Sequence, residues 1–364
     1  ADYDNTAVGI PYADQYFDVS TIDIEGITRT AKEFRPDGIM TLGTDMPMRS
    51  IAVATTELGL PGISYDTAVK ATDKGEMIKA FKEHGVESPW YYIVENEECL
   101  NRIANSLTYP CIIKPTDNAG SRGVILVNKS EELAGTYQYS KSQSRKGTVI
   151  IEEYMTGKEV SVEGICVNGL THILAVTDKL TTGAPYFVEI GHSQHSQLEA
   201  DKVEDIKALT KKAVDAVGIQ TGPVHVEIML TDEGPKMVEL GARMGGDFIT
   251  SHLVPLSTGI DMVEATIRQA CNENIDIRRQ FFKGSAMRSI PSTIGKLKKI
   301  YGLDKVRDVK GVKEIILTKK EGDFLPEIRR STDRLGYIIS QAETVQEAIS
   351  ICENALSKIK TVVS

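Results

Sequence analysis

Two glutamates in the second half of the chain, Glu227 and Glu239, have the spacing of facing carboxylates in a β-hairpin. Glu227 lies in the segment HVEIM and Glu239 in MVELGAR, and the polar turn Asp232-Glu233-Gly234 separates them. Residues opposite each other on paired strands lie close together, so a hairpin would bring both carboxylates to one place. Apposed carboxylates require a cation, and Mg²⁺ is the usual ion where oxygen ligands meet phosphate. The pair is predicted to bind Mg²⁺; two outward-facing surface glutamates are the alternative.

Cations and a glycine-bearing loop supply groups that could hold the phosphates of a nucleotide. The segment IIKPTDNAGSRGV, residues 112–124, predicts a strand ending near Lys114, a polar loop and a second strand. Backbone N–H groups of such a loop can wrap an anion, and a lysine beside it is a compact charge suited to phosphate. Lys74 lies at the front of a predicted helix, and Arg243 follows Glu239 closely enough to bind a phosphoryl oxygen or a carboxylate. The patterns GxxxxGK[ST] and GxGxxG are both absent, so neither of those two nucleotide sites is present.

Composition and charge exclude several classes of partner. The chain has 364 residues, of which 41% are hydrophobic and 26% charged, and its net charge is −9. That length predicts two or three domains, and the acidic balance argues against a nucleic acid or an anionic membrane as the main partner. No apolar run approaches the roughly 20 residues of a membrane helix, and no signal peptide is recognisable. Five scattered cysteines without a CxxC pair indicate idle thiols in a reducing compartment, so a cytoplasmic protein is predicted.

Hydrophobic periodicity predicts the elements that must position these residues. Strands alternate with helices over residues 17–70, which would form βαβ units on a parallel sheet. Helical spacing over residues 67–84 predicts one helix. Strands dominate residues 90–190, with glycines and polar pairs between them, as in an antiparallel sheet. From about residue 276 the composition shifts to short strands and basic stretches, which indicates a further domain.

The ordered set of motifs resembles the ATP-grasp superfamily. The resemblance rests on Lys74, Lys114, the loop DNAGSRG, and the segments EEYMTGKE, HVEIM and ELGAR, and it covers nearly the whole chain. It is nearest to the carboxylate–amine ligases grouped with biotin carboxylase, carbamoyl phosphate synthetase, phosphoribosylglycinamide synthetase and the L-amino acid ligases. The chain opens on a segment that looks like the exit from a strand, so a trimmed N-terminus is expected.

The resemblance implies an α/β (α+β) fold of three domains. These are a Rossmann-like pre-ATP-grasp domain (1–68) that lacks its first strand and helix, an ATP-grasp domain (69–275) with a lid subdomain at about 90–150, and a C-terminal α/β domain (276–364).

The resemblance also implies roles for individual residues, with ATP and one or two Mg²⁺ ions as cofactors. ATP would be bound by Lys74, Lys114, Gly120, Ser121, Gly123, Glu152, Tyr154, Met155 and Glu159. Glu227 and Glu239 would ligate Mg²⁺, and Arg243 with Lys114 would steady the transferred phosphoryl group. Many relatives carry an asparagine as a further metal ligand where this chain has Gly241, so the number of ions is left open.

The implied reaction joins a small-molecule carboxylate to an amine through an acyl-phosphate. The segment 177–198, TDKLTTGAPYFVEIGHSQHSQL, is the best candidate for substrate recognition. Its candidate side chains, together with one after Arg243, are Glu189, His192, Ser193, His195 and Asp247. A polar surface loop is the alternative reading of this segment. His225 is interpreted as a packing residue on the face of its strand opposite to Glu227.

Three functions stay open at this point. An amino-acid-ligase-like enzyme is preferred. A phosphoribosylglycinamide-synthetase-like or carboxylase-like ligase would need a basic pocket for its substrate. A non-catalytic nucleotide-binding module would be expected to lose a metal glutamate or the arginine, and this chain keeps Glu227, Glu239 and Arg243. A homodimer is expected, because many of these relatives are dimers.

Overall fold

The computed structural model of the chain describes residues 1–118, 120 and 122–364. Its α-helices are α1 (Ile24–Phe34), α2 (Met48–Leu58), α3 (Tyr65–Thr72), α4 (Lys74–Glu83), α5 (Glu97–Ile103), α6 (Leu133–Ser142), α7 (Ala200–Val217), α8 (Val254–Thr258), α9 (Met262–Ala270), α10 (Leu303–Arg307) and α11 (Val345–Leu356). Its strands are β1 (Tyr91–Val94), β2 (Cys111–Pro115), β3 (Ile125–Val127), β4 (Val149–Glu153), β5 (Lys158–Val167), β6 (Leu170–Thr181), β7 (Glu189–Gln194), β8 (Gly222–Thr231), β9 (Gly234–Gly241), β10 (Gly284–Ser289), β11 (Gly295–Tyr301), β12 (Val312–Leu317), β13 (Phe324–Leu325), β14 (Gly336–Ala342) and β15 (Lys360–Val363). Among the described residues, every helix is too short or too polar to span a bilayer.

The N-terminal part contains the predicted helices α1 and α2 but not the predicted parallel sheet. Residues 17–70, all of which the structure describes, form no strand, and Asp18 makes a single parallel bridge to Asp2. A strand exists only where a neighbour completes its hydrogen-bond ladder, and the extended segments of this region lack such neighbours. The expectation of βαβ units was therefore wrong for these residues.

The helix predicted over residues 67–84 is divided in two at Asp73. Asp73 has an extended backbone, and its carboxylate accepts hydrogen bonds from the backbone N–H groups of Gly75 and Glu76. An aspartate in this position caps a new helix, which outweighs the continuous periodicity of the side chains. The break starts α4 at Lys74, whose backbone N–H donates to the carbonyl of Thr116. The helix start is thereby fixed beside the loop that follows β2.

A four-stranded antiparallel sheet, in the order β1-β4-β2-β3, forms the part predicted as a lid. Its core is apolar and fully enclosed, and α5 and α6 pack against it; the buried members include Val94, Ile113, Tyr137 and Ile151. The pairing of β2 with β3 confirms the strand, loop and strand predicted over residues 112–124.

An eight-stranded antiparallel sheet, in the order β12-β14-β10-β7-β6-β5-β8-β9, forms the body of the molecule. Helix α7 covers one end of it, over β8 and β9. Strands β10, β12 and β14 extend the same sheet, so hydrogen bonding continues across the boundary predicted at residue 276. A small third sheet, β13-β11-β15, lies in the C-terminal part. The three-domain division of the chain stays a prediction.

Candidate active site

A cleft lies between the four-stranded and the eight-stranded sheet. The four-stranded side and its loop contribute Ile112, Lys114, Pro115, Asn118, Gly120, Arg122, Val124 and Glu152, and Lys74 joins them from the start of α4. The eight-stranded side contributes Glu159, Lys179, Phe187, Glu189, Glu227, Met229, Val238 and Glu239, and Glu153, Tyr154 and Met155 close the end between the sheets. Most of the residues predicted to bind ATP and metal therefore meet in one place.

The two glutamates predicted to bind Mg²⁺ face each other across the β8–β9 hairpin. Glu227 and Glu239 are direct partners in the strand register. Each is bound to a lysine: Lys74 Nζ lies 2.9 Å from Glu239 Oε1, and Lys179 Nζ lies 2.9 Å from Glu227 Oε2. Burial alone would raise the pKa of Glu227, but Lys179 and His225 hold it well below its usual value.

This donor set fits a hard divalent cation that is also held by phosphate. Two carboxylates on adjacent strands offer oxygen ligands toward one cleft, and the neighbouring lysines could turn to phosphate oxygens. Among the described residues, no cluster of three or more His, Cys, Asp or Glu side chains has metal-site geometry. An ion here would therefore take only part of its ligand shell from these side chains.

Lys179 is the central cation of the cleft, and sequence reasoning missed it. Its side chain is 5% exposed, and Nζ lies 2.6 Å from Glu159, 2.9 Å from Glu227 and 3.6 Å from Glu189. Burial opposes the charge, but these carboxylates raise the pKa of Lys179 well above its ordinary value. A lysine inside the strand segment THILAVTDKLT was the signal available, because a buried lysine is rare without acidic partners.

Two further lysines line the side of the cleft nearest the loop. Lys114 on β2 and Glu152 on β4 form a buried pair with Nζ 2.6 Å from Oε2. Lys74 Nζ also donates to the carbonyl oxygen of Asn118, at 2.8 Å. Lys74, Lys114 and Lys179 thus place three ammonium groups in the cleft from both of its sides, each held by carboxylates of the same cleft.

The opposite end of the cleft is apolar and offers free backbone groups. Tyr154 and Phe187 are tilted toward each other with ring centroids 6.4 Å apart, and Met155 lies beside them. Residues 154–156 make no backbone hydrogen bond to any other residue that the structure describes. Gly157 then packs so closely on β8 that a Cβ would lie 2.1 Å from a carbonyl oxygen. This end has the character of a site for a flat heterocycle with polar edges.

Arg243 is held beside the carboxylate pair without lining the cleft. Its Nε donates to Asp45 Oδ1 at 3.1 Å, and a terminal nitrogen donates to the carbonyl of Met244 at 3.1 Å. Burial opposes its charge, but Asp45 raises the pKa of the guanidinium. Asp45 comes from the N-terminal part of the chain and was not foreseen.

His225 points to the same face as Glu227, so its interpretation as a packing residue on the opposite face was wrong. Residues two positions apart in a strand share a face. His225 Nδ1 lies 2.7 Å from the fully buried carboxylate of Glu163, and Nε2 lies 3.4 Å from Glu227. Burial disfavours the imidazolium, but Glu163 raises the pKa of His225 to about 9.

The structure places only some of the residues predicted to recognise the substrate at or near the cleft. Glu189 lines the cleft, and His192 is the register partner of Lys179. His192 is 1% exposed, and neither ring nitrogen has a hydrogen-bond partner among the described residues; Nε2 lies 3.6 Å from Asp247. Asp247 accepts two hydrogen bonds from the buried Arg334, at 2.6 and 2.7 Å.

The remaining candidates lie away from the cleft. Ser193 is buried on β7 between β6 and β10. His195 is stacked on Phe282 with ring centroids 3.8 Å apart, and it approaches the carbonyl of Ser257. Gly123, predicted to bind ATP, packs against Pro115 and does not line the cleft. Ser121, predicted to close over the phosphates, lies outside the described residues.

Two family models match this chain. Residues 107–251 match the ATP-grasp domain, and residues 288–364 match the L-amino acid ligase C-terminal domain 2. Residues 107–251 therefore have the sequence of an ATP-grasp domain. This match confirms the predicted resemblance to ATP-grasp ligases, and the similar solved structures confirm the fold class.

Individual relatives agree with this assignment. The chain is 28% identical over 271 residues to alanine–anticapsin ligase of Bacillus subtilis (strain 168), covering 68% of this chain and 57% of that one. It thus spans under three fifths of the length of that ligase. The crystal structure of an L-amino acid ligase from Bacillus licheniformis superposes with a TM-score of 0.80 at 24% identity, covering 94% and 84% of the two chains.

A more distant structure adds to the agreement in fold. The biotin carboxylase domain dimer of 2-oxoglutarate carboxylase from Hydrogenobacter thermophilus, solved with MgADP, ADP and bicarbonate, superposes with a TM-score of 0.75 at 19% identity, covering 98% of this chain and 83% of that one.

Proposed function

We propose that the chain is an ATP- and Mg²⁺-dependent ligase that activates a small-molecule carboxylate as an acyl-phosphate and joins it to an amine. The observation that carries this proposal is the arrangement of Lys74, Lys114 and Lys179 around the facing carboxylates Glu227 and Glu239, within one cleft. An apolar end for a base, ammonium groups for phosphates and a carboxylate pair for a metal are the parts that phosphoryl transfer from ATP requires.

The side chains of this site act by position and charge. Tyr154, Met155 and the backbone beside them would hold adenine, and Glu159 on the adjacent strand would accept from ribose. Lys74 and Lys114 would turn from their carboxylate partners to phosphate oxygens. Mg²⁺, held by Glu227 and Glu239, would neutralise charge on the phosphates. A mechanism of this kind needs no protein nucleophile, because the substrate carboxylate attacks the terminal phosphorus of ATP directly and displaces ADP. The amine then attacks the carbonyl carbon of the acyl-phosphate, loses a proton and displaces phosphate.

Substrate recognition would use the β7 side of the cleft. Glu189 lies at the cleft wall, and the ring of the buried His192 on the same strand would face a polar group of a substrate through Nδ1, which has no hydrogen-bond partner among the described residues, while Nε2 lies 3.6 Å from Asp247. Amino acids are the preferred substrate class, since two of the relatives named above are L-amino acid and alanine–anticapsin ligases and the C-terminal residues match the L-amino acid ligase model. The sugar-phosphate and carboxylase alternatives are not favoured on the same ground. A homodimer stays a prediction.

The test measures the phosphate released from ATP in the presence of Mg²⁺ and pairs of amino acids. Sugar acids and bicarbonate serve as comparison substrates. Release is expected only when a carboxylate and an amine are both present. Glu239→Gln should lower the rate at least ~100-fold, because it removes a metal ligand and the partner of Lys74. Glu233→Gln, in the exposed turn of the same hairpin, is the matched control and should leave the rate unchanged.

Other outcomes would point elsewhere. Release with bicarbonate and no amino acid would replace the amino-acid ligase by a carboxylase-like enzyme. Tight binding of Mg·ATP without release on any pair would favour the nucleotide-binding module.

A further inference from the structure

Gly241, two residues after Glu239, leaves a space that a residue of the N-terminal part fills. A Cβ at Gly241 would lie 2.7 Å from Asp45 Oδ1 and 3.0 Å from Arg243 Nε. Side-chain carbons rarely approach other atoms so closely, so a side chain at position 241 would force the Asp45 carboxylate to shift. The carboxylate of Asp45 therefore occupies the space beside Glu239 that another residue type would use.

The position of Asp45 fixes the guanidinium of Arg243. Both side chains are largely buried, at 13% and 12% exposure, and Asp45 Oδ1 accepts the hydrogen bond from Arg243 Nε. The carbonyl of Met244 anchors a terminal nitrogen of the same guanidinium. A planar guanidinium held at two points keeps its remaining donors in a fixed direction.

Asp45 borders the Lys74–Glu239 end of the cleft, and the charges of Glu227 and Glu239 act on Arg243 beside it. Asp45 lines a second cavity together with Lys74, Asn118 and Glu239, and these three residues also line the nucleotide cleft. The two cavities thus meet at the Lys74–Glu239 pair, and the charge of Asp45 acts on both Lys74 and Arg243.

We propose that Asp45 is a positioning residue that holds Arg243 toward the terminal phosphate of the bound nucleotide, in the space that Gly241 provides. The inference rests on the proposed function for the nucleotide and its orientation. It adds that the N-terminal part of the chain completes the phosphoryl site of the ATP-grasp domain through one ion pair. Asp45 itself touches no reacting atom; it acts through Arg243.

The experiment measures, by calorimetry, the Kd of Mg·AMP-PNP and the Kd of Mg·ADP for the full chain and its variants. The Kd of Mg·ADP divided by the Kd of Mg·AMP-PNP isolates contacts to the terminal phosphate, and this ratio requires no knowledge of the substrates. Asp45→Ala and Arg243→Ala should each weaken Mg·AMP-PNP binding about tenfold or more, with Mg·ADP changed less than about twofold, because a charge-assisted hydrogen bond is lost. The double variant should bind Mg·AMP-PNP no more weakly than Arg243→Ala does, since both changes remove the same contact to the nucleotide.

Conservative and control variants separate positioning from damage to the fold. Asp45→Asn keeps the acceptor oxygen and should retain part of the ratio. Gly241→Ala should lower it toward the Asp45→Ala value, whereas Gly246→Ala, whose Cβ would meet nothing within 4 Å, should leave it unchanged. Asp276→Ala, which removes an exposed ion pair with Arg278, is the control for a surface carboxylate.

Two results would overturn the inference. A normal ratio in Asp45→Ala, with the ratio lost in Arg243→Ala, would show that Arg243 needs no positioning by Asp45. A normal ratio in Arg243→Ala would show that the guanidinium does not face the terminal phosphate. Failure of the proposed function is distinct from both, because it would appear as no phosphate release from the unmodified chain while the binding ratios still decide the role of Asp45.

Discussion

The cleft and the region behind it both contain ion pairs, but the two are built differently. In the cleft, Lys179 shares one ammonium group among Glu159, Glu189 and Glu227, which belong to three strands. Behind the cleft, Arg334 is 2% exposed and binds both oxygens of Asp247.

Further contacts fix the arginine. Arg334 also donates to the carbonyl of Glu189 at 2.7 Å, and its guanidinium lies 4.9 Å from the ring centroid of Tyr337. Burial alone would raise the pKa of Asp247, but His192 and Arg334 hold it well below its usual range.

The difference indicates which charged side chains can exchange hydrogen-bond partners and which are fixed in one geometry. An ammonium on a flexible stem can turn from a carboxylate to a phosphate oxygen with little rearrangement. A guanidinium that forms parallel hydrogen bonds, a carbonyl contact and a ring contact is committed to one geometry. The lysine region is thus suited to an incoming anion and cation, and the Arg334–Asp247 pair to holding β7 and the turn after β9 in place beneath it.

Breaking the buried arginine pair should have the largest effect on stability. Arg334→Met takes away both guanidinium hydrogen bonds from the partly buried Asp247 carboxylate, so the free energy of unfolding should fall by about 3 kcal/mol. Urea unfolding followed by circular dichroism measures it. Arg278→Met, which removes an exposed pair, should cost less than about 1 kcal/mol. Equal losses in the two variants would contradict the distinction between the regions.

Replacing Lys179, the central lysine of the cleft, should lower the free energy of unfolding by less than Arg334→Met does. It should also make the stability of the protein depend on Mg²⁺. Lys179→Met leaves three carboxylates facing one another, which should cost about 2 kcal/mol in metal-free buffer. Mg²⁺ should restore part of this loss, because it supplies the missing positive charge. Thermal unfolding with and without Mg²⁺ measures both effects. Lys236→Met, at another pair of the same hairpin, serves as the control, and the idea fails if Mg²⁺ stabilises both variants equally.

Replacing Gly245, which lies between the two regions, by alanine should change the free energy of unfolding by a smaller amount. A Cβ there would lie 2.7 Å from His225 Nδ1 and 2.8 Å from Glu163 Oε2, so this buried pair must shift. Gly245→Ala should lower the free energy of unfolding by about 1–2 kcal/mol. Gly246→Ala, the adjacent glycine with open space around its Cβ position, should be close to neutral in the same melts. A reversed order would show that the His225–Glu163 pair tolerates displacement.

The last predicted effect is a pH dependence outside both regions. Burial under Phe282, with a further contribution from the positive charge of Arg279, lowers the pKa of His195 from 6.5 to about 4. The unfolded chain therefore binds a proton between these values that the folded chain does not, so stability should fall as the pH drops from 6.5 toward 4. His195→Gln should flatten this part of the stability–pH curve. An unchanged curve would show that His195 is not neutral in the folded protein.

The sequence predicted the parts of the fold and site that depend on neighbours in the chain. Glu227 and Glu239 were paired correctly because a short turn joins their strands, and alternation then fixes which side chains share a face. Alternation applied consistently would also have placed His225 beside Glu227. The periodicity of residues 67–84 could not reveal the break at Asp73, because a capping aspartate competes with continuous helical spacing through its own hydrogen bonds.

Contacts between distant segments were decided only by the tertiary structure. Arg243 is 198 residues from Asp45, and Arg334 is 87 residues from Asp247. Lys179 meets Glu159 and Glu227 because the strand order places β6 beside β5 and β5 beside β8. Local patterns determine an element and its faces, but the order of elements in a sheet arises from packing the whole chain. The sequence alone therefore predicted the proposed chemistry and the pairing of Glu227 with Glu239, and the fold decided which cations lie beside that pair.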